Sequence, residues 1–184
     1  MASTVEELLD KLLFESQSTA EQGDKFERLI RSFLLNDVEW SRQFDEVWRW
    51  MEWPGREGRR DNGIDLVARR RETGALVAVQ CKFYDPETVL TKQHIDSFLS
   101  ESGKDPFVER LVVSTALRWG PNAEAAIKHQ SKPVNRIGLH DLVESSIDWA
   151  QFDIETPEIL ELKERKRLRG HQREAIDKRS EEHT

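Results

Sequence analysis

Gln80 and Lys82 stand two residues apart in the run ALVAVQCKF at 75–83. On a β-strand they project from one face, while Val77, Val79, Cys81 and Phe83 project from the other. The run GIDLVAR at 63–69 comes before it, separated by a short polar turn containing Thr73 and Gly74, so the spacing predicts an antiparallel hairpin. With the turn centred between Glu72 and Thr73, residue numbers that pair across the hairpin sum to 145, which sets Asp65 opposite Gln80 on the same polar face. A slip of one residue would send Asp65 to the other face.

An acid, a side-chain amide and a lysine at one edge of an otherwise apolar sheet suit a hard divalent cation. Mg2+ takes oxygen ligands from Asp or Glu, from a side-chain amide or from a main-chain carbonyl, and it keeps several waters. The carbonyl of Cys81, between Gln80 and Lys82, is a further oxygen of this kind. A lysine beside the ion orients or helps deprotonate a bound water and offsets charge building on a phosphate. Glu27 adds a second acid: it shares a helical stripe with Ile30 and Leu34, so it borders a buried face within reach of the sheet edge. Together these groups describe metal-assisted hydrolysis of a phosphodiester. Each also has an ordinary reading, with Glu27 as an i,i+4 partner of Arg31, Asp65 as a turn acid after Asp61, Asn62 and Gly63, and Lys82 as a surface lysine. The combination at this spacing outweighs those readings. Cys81 itself sits in an apolar row with no His nearby in sequence, and reads as a small core residue rather than a nucleophile.

Hydrophobic periodicity supplies the elements that must hold these residues. Val5, Leu8, Leu9, Leu12 and Leu13 give an amphipathic helix over 4–14, and Phe26, Leu29, Ile30, Phe33 and Leu34 give a second over 23–35 after a polar break at 16–23. Residues 44–53 are rich in β-formers and end at Pro54-Gly55, which predicts a strand. After the hairpin come a helix over 91–100, a buried strand over 109–115, a helix over 121–130 and a last strand over 136–139. Strands followed by alternating helix and strand predict an α/β fold with a mixed sheet covered by helices. From Thr156 the composition turns to Glu, Lys and Arg with few large apolar residues, which reads as a charged helical linker. The division is therefore 1–150 as the domain and 151–184 as the link.

Composition bounds the function. The chain has 184 residues, 37% hydrophobic and 34% charged, enough apolar material for one packed domain. Its net charge of −7 excludes a polycationic nucleic-acid coat. The six arginines of 56–71 against three acids give that stretch +3, so the remainder carries −10, and the hairpin is the basic part of an acidic chain. A single cysteine closes no internal disulfide, the start of the chain lacks a secretory pattern, and no apolar run spans a bilayer, so a cytoplasmic protein with no membrane contact is expected. The five His are scattered without zinc spacing. Trp48, Trp50 and Trp53 read as half-buried sheet residues ahead of a stacking platform for unpaired bases.

The order GDKFERL, GIDLVA, VQCKF resembles the Mrr-type branch of the PD-(D/E)xK nucleases, whose pattern is a helix-borne Glu, a strand Asp after Gly, and Gln-x-Lys on the next strand. Glu27, Asp65, Gln80 and Lys82 match it position by position. The stretch VVSTALRWGPNAEAAI at 112–127 is similar to the strand and helix that follow in the nuclease domain of single-chain ATP-dependent restriction enzymes, the Type ISP and related helicase-linked systems, so the resemblance spans about 20–145. Gln80 replaces the acid more common in the broad superfamily, as Mrr-like members do. The segment LRGHQREAI at 168–176 is similar to the LRxxQxEAI that opens the motor of superfamily 2 helicases, where the Gln, here Gln172, contacts adenine. No phosphate-binding GxxxxGK[ST] loop is present, so ATP belongs only to a full-length enzyme. The resemblance implies a restriction-endonuclease-like fold and an endonuclease for double-stranded DNA that uses Mg2+, with Mn2+ as substitute. In that pattern Asp65 and Glu27 are expected as metal ligands, Gln80 as a ligand or water orienter and Lys82 as activator of the attacking water, with a 5′-phosphate on the product, and the Cys81 carbonyl between the matched residues is a further oxygen for the metal. Helicase, methyltransferase and target-recognition domains are the implied partners. The alternative is a catalytically silent DNA- or protein-docking module of the same fold.

Overall fold

A computed structural model of the chain describes residues 4–159 and 162–163. The linker beyond 163 and the helicase-like segment with Gln172 lie outside the described residues.

The first helix, α1 (Val5–Glu15), starts at a capping box in which the Thr4 hydroxyl accepts from Glu7 N and the Glu7 carboxylate accepts from Thr4 N. The second, α2 (Thr19–Asn36), begins four residues earlier than periodicity indicates, because the Ser18 hydroxyl accepts from Glu21 N and caps a polar first turn that no apolar residue marks. A short turn of helix, α3 (Trp40–Gln43), leads into β1 (Phe44–Arg49). That strand is shorter than expected. Its ladder with β2 (Leu66–Arg70) ends at Arg49 opposite Leu66, and Trp50–Glu52 coils into a 3-10 turn that carries Trp50 and Trp53 into the core.

The hairpin of β2 with β3 (Leu76–Lys82) has the expected register, Leu66 opposite Val79 through Arg69 opposite Leu76. Arg70 N donates to Ala75 O at 2.8 Å, and Gly74, with φ +72°, supplies the left-handed turn residue. A two-residue strand, β4 (Val89–Leu90), α4 (Lys92–Ser102) and β5 (Phe107–Ser114) follow, then β6 (Arg118–Trp119), α5 (Pro121–Ile127), β7 (Val134–Gly138) and α6 (Leu139–Val143). The main sheet has the order β1-β2-β3-β5-β7, antiparallel from β1 to β3 and parallel from β3 to β7, so it is mixed as expected. The small parallel pair of β4 and β6 has too few residues to show a pattern in sequence.

Two apolar cores sandwich the sheet. One contains Val77, Val79 and Leu66 with Phe26, Leu29, Ile30 and Phe33 of α2, and Cys81 and Phe83 pack against it. The other contains Val67, Ala78 and Val112 with Trp50, Trp53, Ile95 and Phe98. Alternation along β3 thus buries Val77 and Val79 on the α2 side and turns the Leu76, Ala78, Gln80 row to the other, as the spacing requires. Packing runs past residue 150: Phe152 is buried, Ile147 bridges Leu162, and Lys163 N donates to Ser146 O at 2.8 Å. No described helix is long and apolar enough to cross a membrane.

Candidate functional site

Asp65 sits where the hairpin ladder breaks. Regular pairing ends at Leu66, and Ile64 and Val67 both enter the second core although they are three residues apart, so strict alternation fails between them. Asp65 N donates to Val79 O at 2.9 Å and Trp50 N donates to Asp65 O at 2.9 Å, which fixes the backbone to both neighbouring strands. Its carboxylate, released from the ladder, accepts from Cys81 N at 2.7 Å. Asp65 is therefore not paired across the ladder with Gln80 as the unbroken register requires. Upstream, Asp61 and Asn62 accept from Gly63 N and Ile64 N at 3.1 and 3.3 Å, so the ordinary turn reading holds for these two, and Gly63 takes φ +87°.

Glu27 reaches the same place from α2. Its partner is Arg49, whose Nη2 donates to Glu27 Oε2 at 3.2 Å and also to the Asp24 carboxylate. Arg31 turns elsewhere, to Val47 O at 2.9 Å and to Glu52 at 3.4 Å, so the i,i+4 pairing with Glu27 does not form. A cavity of about 450 Å³ opens here, lined among others by Asp24, Glu27, Arg49, Asp61 and Asp65. Asp24 and Arg49 escaped the sequence reading. Asp24 was legible as the residue one turn before Glu27 on α2, whereas nothing in the local pattern of β1 sets Arg49 apart from its charged neighbours.

Burial and nearby charge act on both carboxyl groups. Burial pushes the Glu27 carboxyl up to about 7, the Asp65 charge adds to that rise, and the bond and charge of Arg49 oppose it. Burial likewise pushes Asp65 up to about 6 against the Cys81 N–H and the Lys82 and Arg49 charges. Lys82, at the end of β3, is the cation acting on Asp65 from the strand side, and its ammonium forms no ion pair among the described residues. The Cys81 thiol is held protonated by burial and by both carboxylates, which fits a packing role.

Gln80 is 2% exposed and does not line the cavity. Its Nε2 donates to Gly63 O at 3.2 Å, while its Oε1 is buried with no partner among the described residues. A buried acceptor without a donor costs about 1–3 kcal/mol, so this oxygen calls for a cation or an ordered water. The Glu27 and Asp65 carboxylates on the cavity and the unpartnered Gln80 oxygen are all hard oxygen donors, the chemistry that suits Mg2+ or Mn2+ rather than zinc. Among the described residues no three His, Cys, Asp or Glu side chains gather as a metal site, so carboxylates alone do not complete the set.

Residues 35–159 match a restriction endonuclease family model of the Mrr catalytic type. The chain belongs to the restriction endonuclease family. The matched stretch of this restriction endonuclease domain includes Asp65, Gln80 and Lys82 and leaves out Glu27. Among solved structures it is similar to the ATP-dependent Type ISP restriction-modification enzyme LlaBIII bound to DNA, with 35% identity and a TM-score of 0.75 over 92% of this chain. The match covers 10% of LlaBIII, so the restriction endonuclease domain here spans about a tenth of that enzyme. The MspJI restriction endonuclease in complex with a 27-mer oligonucleotide shares the fold, at 18% identity and TM-score 0.52 over 74% of this chain and 29% of its own. No curated protein sequence matches.

The arginines of 56–71 do less than their charge suggested. Arg69 pairs with Asp45 at 2.9 Å, Arg70 with Glu109 and Gln43, and Arg71 with the carbonyls of Ser41 and Phe44, while Arg59 bonds nearby carbonyls and lies over Trp50 and Trp53. These bonds hold the hairpin and the Trp turn together. Trp50 and Trp53 are buried, so they are core residues and not stacking platforms.

Proposed function

We propose that this domain is a Mg2+-dependent endonuclease module that hydrolyses phosphodiester bonds of double-stranded DNA, and that it works within a longer ATP-dependent restriction enzyme. The observation that carries this reading is the convergence of Glu27 and Asp65 on one cavity, with Lys82 acting on Asp65 and the Gln80 amide oxygen left without a donor. Glu27, Asp65 and the Cys81 carbonyl would hold the ion, and Gln80 Oε1 would bind it or accept from one of its waters. A bound Mg2+ would polarise the phosphate and lower the pKa of a water.

The chain's own groups then have defined tasks. Lys82 Nζ orients the attacking water and offsets charge on the non-bridging phosphate oxygens. The Cys81 N–H bond and the backbone bonds on either side of Asp65 fix its carboxylate before substrate arrives, which lowers the reorganisation needed during reaction. In-line attack leaves a 5′-phosphate. Residues 1–150 form the nuclease unit in this reading, and 151–184 lead toward a helicase motor that uses ATP, with methyltransferase and target-recognition domains beyond.

Plasmid nicking in Mg2+ or Mn2+ is the test. Asp65→Ala and Lys82→Ala are each expected to lower nicking by about a thousandfold, the scale of removing one preorganised electrostatic group. Nicking that survives both changes overturns the assignment. Calorimetric titration with Mn2+ should show a saturable site that Asp65→Ala abolishes, and a wild-type chain without such a site is a docking module instead.

A further inference from the structure

Arg49 has a position that an ordinary surface ion pair does not explain. It closes β1 opposite Leu66, next to Asp65, and its guanidinium lines the cavity. One nitrogen, Nη2, is shared by Glu27 and Asp24, while Nε and Nη1 form no hydrogen bond among the described residues. Its charge also acts on Asp65. Asp24 and Glu27 are one turn apart on α2, so a small rotation of the guanidinium moves its bond from both acids to Asp24 alone with no backbone movement.

We propose that Arg49 is the resident counter-ion of the metal-free site and that Asp24 is the residue that receives it when a divalent cation takes Glu27. The inference rests on the metal-dependent reading above and extends it to two positioning residues. Glu27 and Asp65 bring two acidic side chains to one cavity with Asp24 beside them, and a resident cation offsets that local charge. Arg49 supplies that cation. A guanidinium and a divalent ion then compete for the same carboxylate, since like charges a few ångströms apart repel strongly where water is excluded. Asp24, half-exposed at the rim, offers the displaced guanidinium an anchor that keeps its two open donors facing the cavity.

The test is a double-mutant cycle on the 184-residue chain, read as Mn2+ affinity by calorimetry and as melting temperature without metal. Arg49→Gln should bind Mn2+ about tenfold more tightly and melt lower in the metal-free state, because the competitor and the counter-charge are lost together. Arg49→Lys should stay near wild type in melting. Asp24→Asn should weaken Mn2+ binding about fivefold in the wild-type background and have no effect when Arg49 is already Gln. Unchanged or weaker Mn2+ binding in Arg49→Gln overturns the proposal. So does an Asp24→Asn effect that persists without Arg49, which would make Asp24 a direct ligand. In either case a saturable site that depends on Asp65 leaves the nuclease reading standing, and a wild-type chain with no saturable Mn2+ site sinks both.

Discussion

Two carboxyl groups pressed into one cleft hold protons that an unfolded chain would release. Folding raises Glu27 from 4.5 to about 7 and Asp65 from 3.8 to about 6, burial being the main cause for each. Between those limits the folded state binds more protons than the unfolded state, so these groups contribute their full stability below about pH 4. That contribution is lost as pH rises through about 7. Each extra proton is worth about 1.4 kcal/mol per pH unit, which makes the fall across the window on the order of a few kcal/mol. Melting in EDTA is therefore expected to drop by several degrees from pH 5 to pH 8, and Glu27→Gln should remove a large part of that drop. A Glu27→Gln variant with the wild-type pH dependence would show that the cleft does not couple the two acids. Mn2+ should act in the opposite sense, stabilising the protein more at pH 8 than at pH 6, because the ligands must lose protons to bind it.

The element that places Asp65 is the turn before β2, and Gly63 is its weak point. A methyl group there would lie 2.9 Å from Ser97 Oγ and 3.4 Å from Phe98 N, in a backbone conformation at φ +87° that L side chains avoid. Gly63→Ala is expected to cost about 1–3 kcal/mol and to weaken Mn2+ binding at least tenfold, since the Gly63 carbonyl also holds the Gln80 amide. Gly74→Ala is the control: φ is +72° but nothing lies within 4 Å, so it should strain the hairpin and leave Mn2+ affinity unchanged. Equal affinity losses in both variants would mean that the turn at Gly63 has no special hold on the site. The hairpin itself was legible in the sequence, because turn chemistry at Thr73-Gly74 and the Val77, Val79, Cys81 alternation both pointed to one register. The break at Asp65 was not, because a ladder read by number alone continues unbroken, whereas in the fold Ile64 joins Val67 in the second core and the Asp65 carboxylate accepts from Cys81 N. The same tertiary demand turned Trp50 and Trp53 out of a run that local β-propensity assigned to a strand. Glu27 was legible from its stripe on α2, while Arg49 depended on a contact between residues 22 apart in sequence.

At the scale of the whole molecule, the proposed nuclease would be limited by the supply of DNA rather than by the chemistry of the cleft. The chain carries a net charge of −7, and Arg69, Arg70 and Arg71 of its most basic stretch are engaged with internal acids and carbonyls. The net negative charge opposes a duplex, and these three arginines are already held by internal bonds, so DNA affinity at physiological salt should be weak and should vary little between sequences. The chain is about a tenth the length of LlaBIII, and in the proposed setting the rest of a longer enzyme would hold DNA against the cavity. Tethering substitutes for affinity, because a short flexible linker gives a local concentration on the order of millimolar. Fusing the chain through such a linker to a sequence-specific DNA-binding protein should convert slow, scattered nicking into cleavage within reach of the bound site. The effect should be largest at 150–200 mM salt, where the untethered chain dissociates. Asp65→Ala in the same fusion should still bind and no longer cut. If the tethered wild-type chain is held on DNA in Mn2+ and leaves it intact, delivery is not what limits this fold, and the docking reading replaces the nuclease.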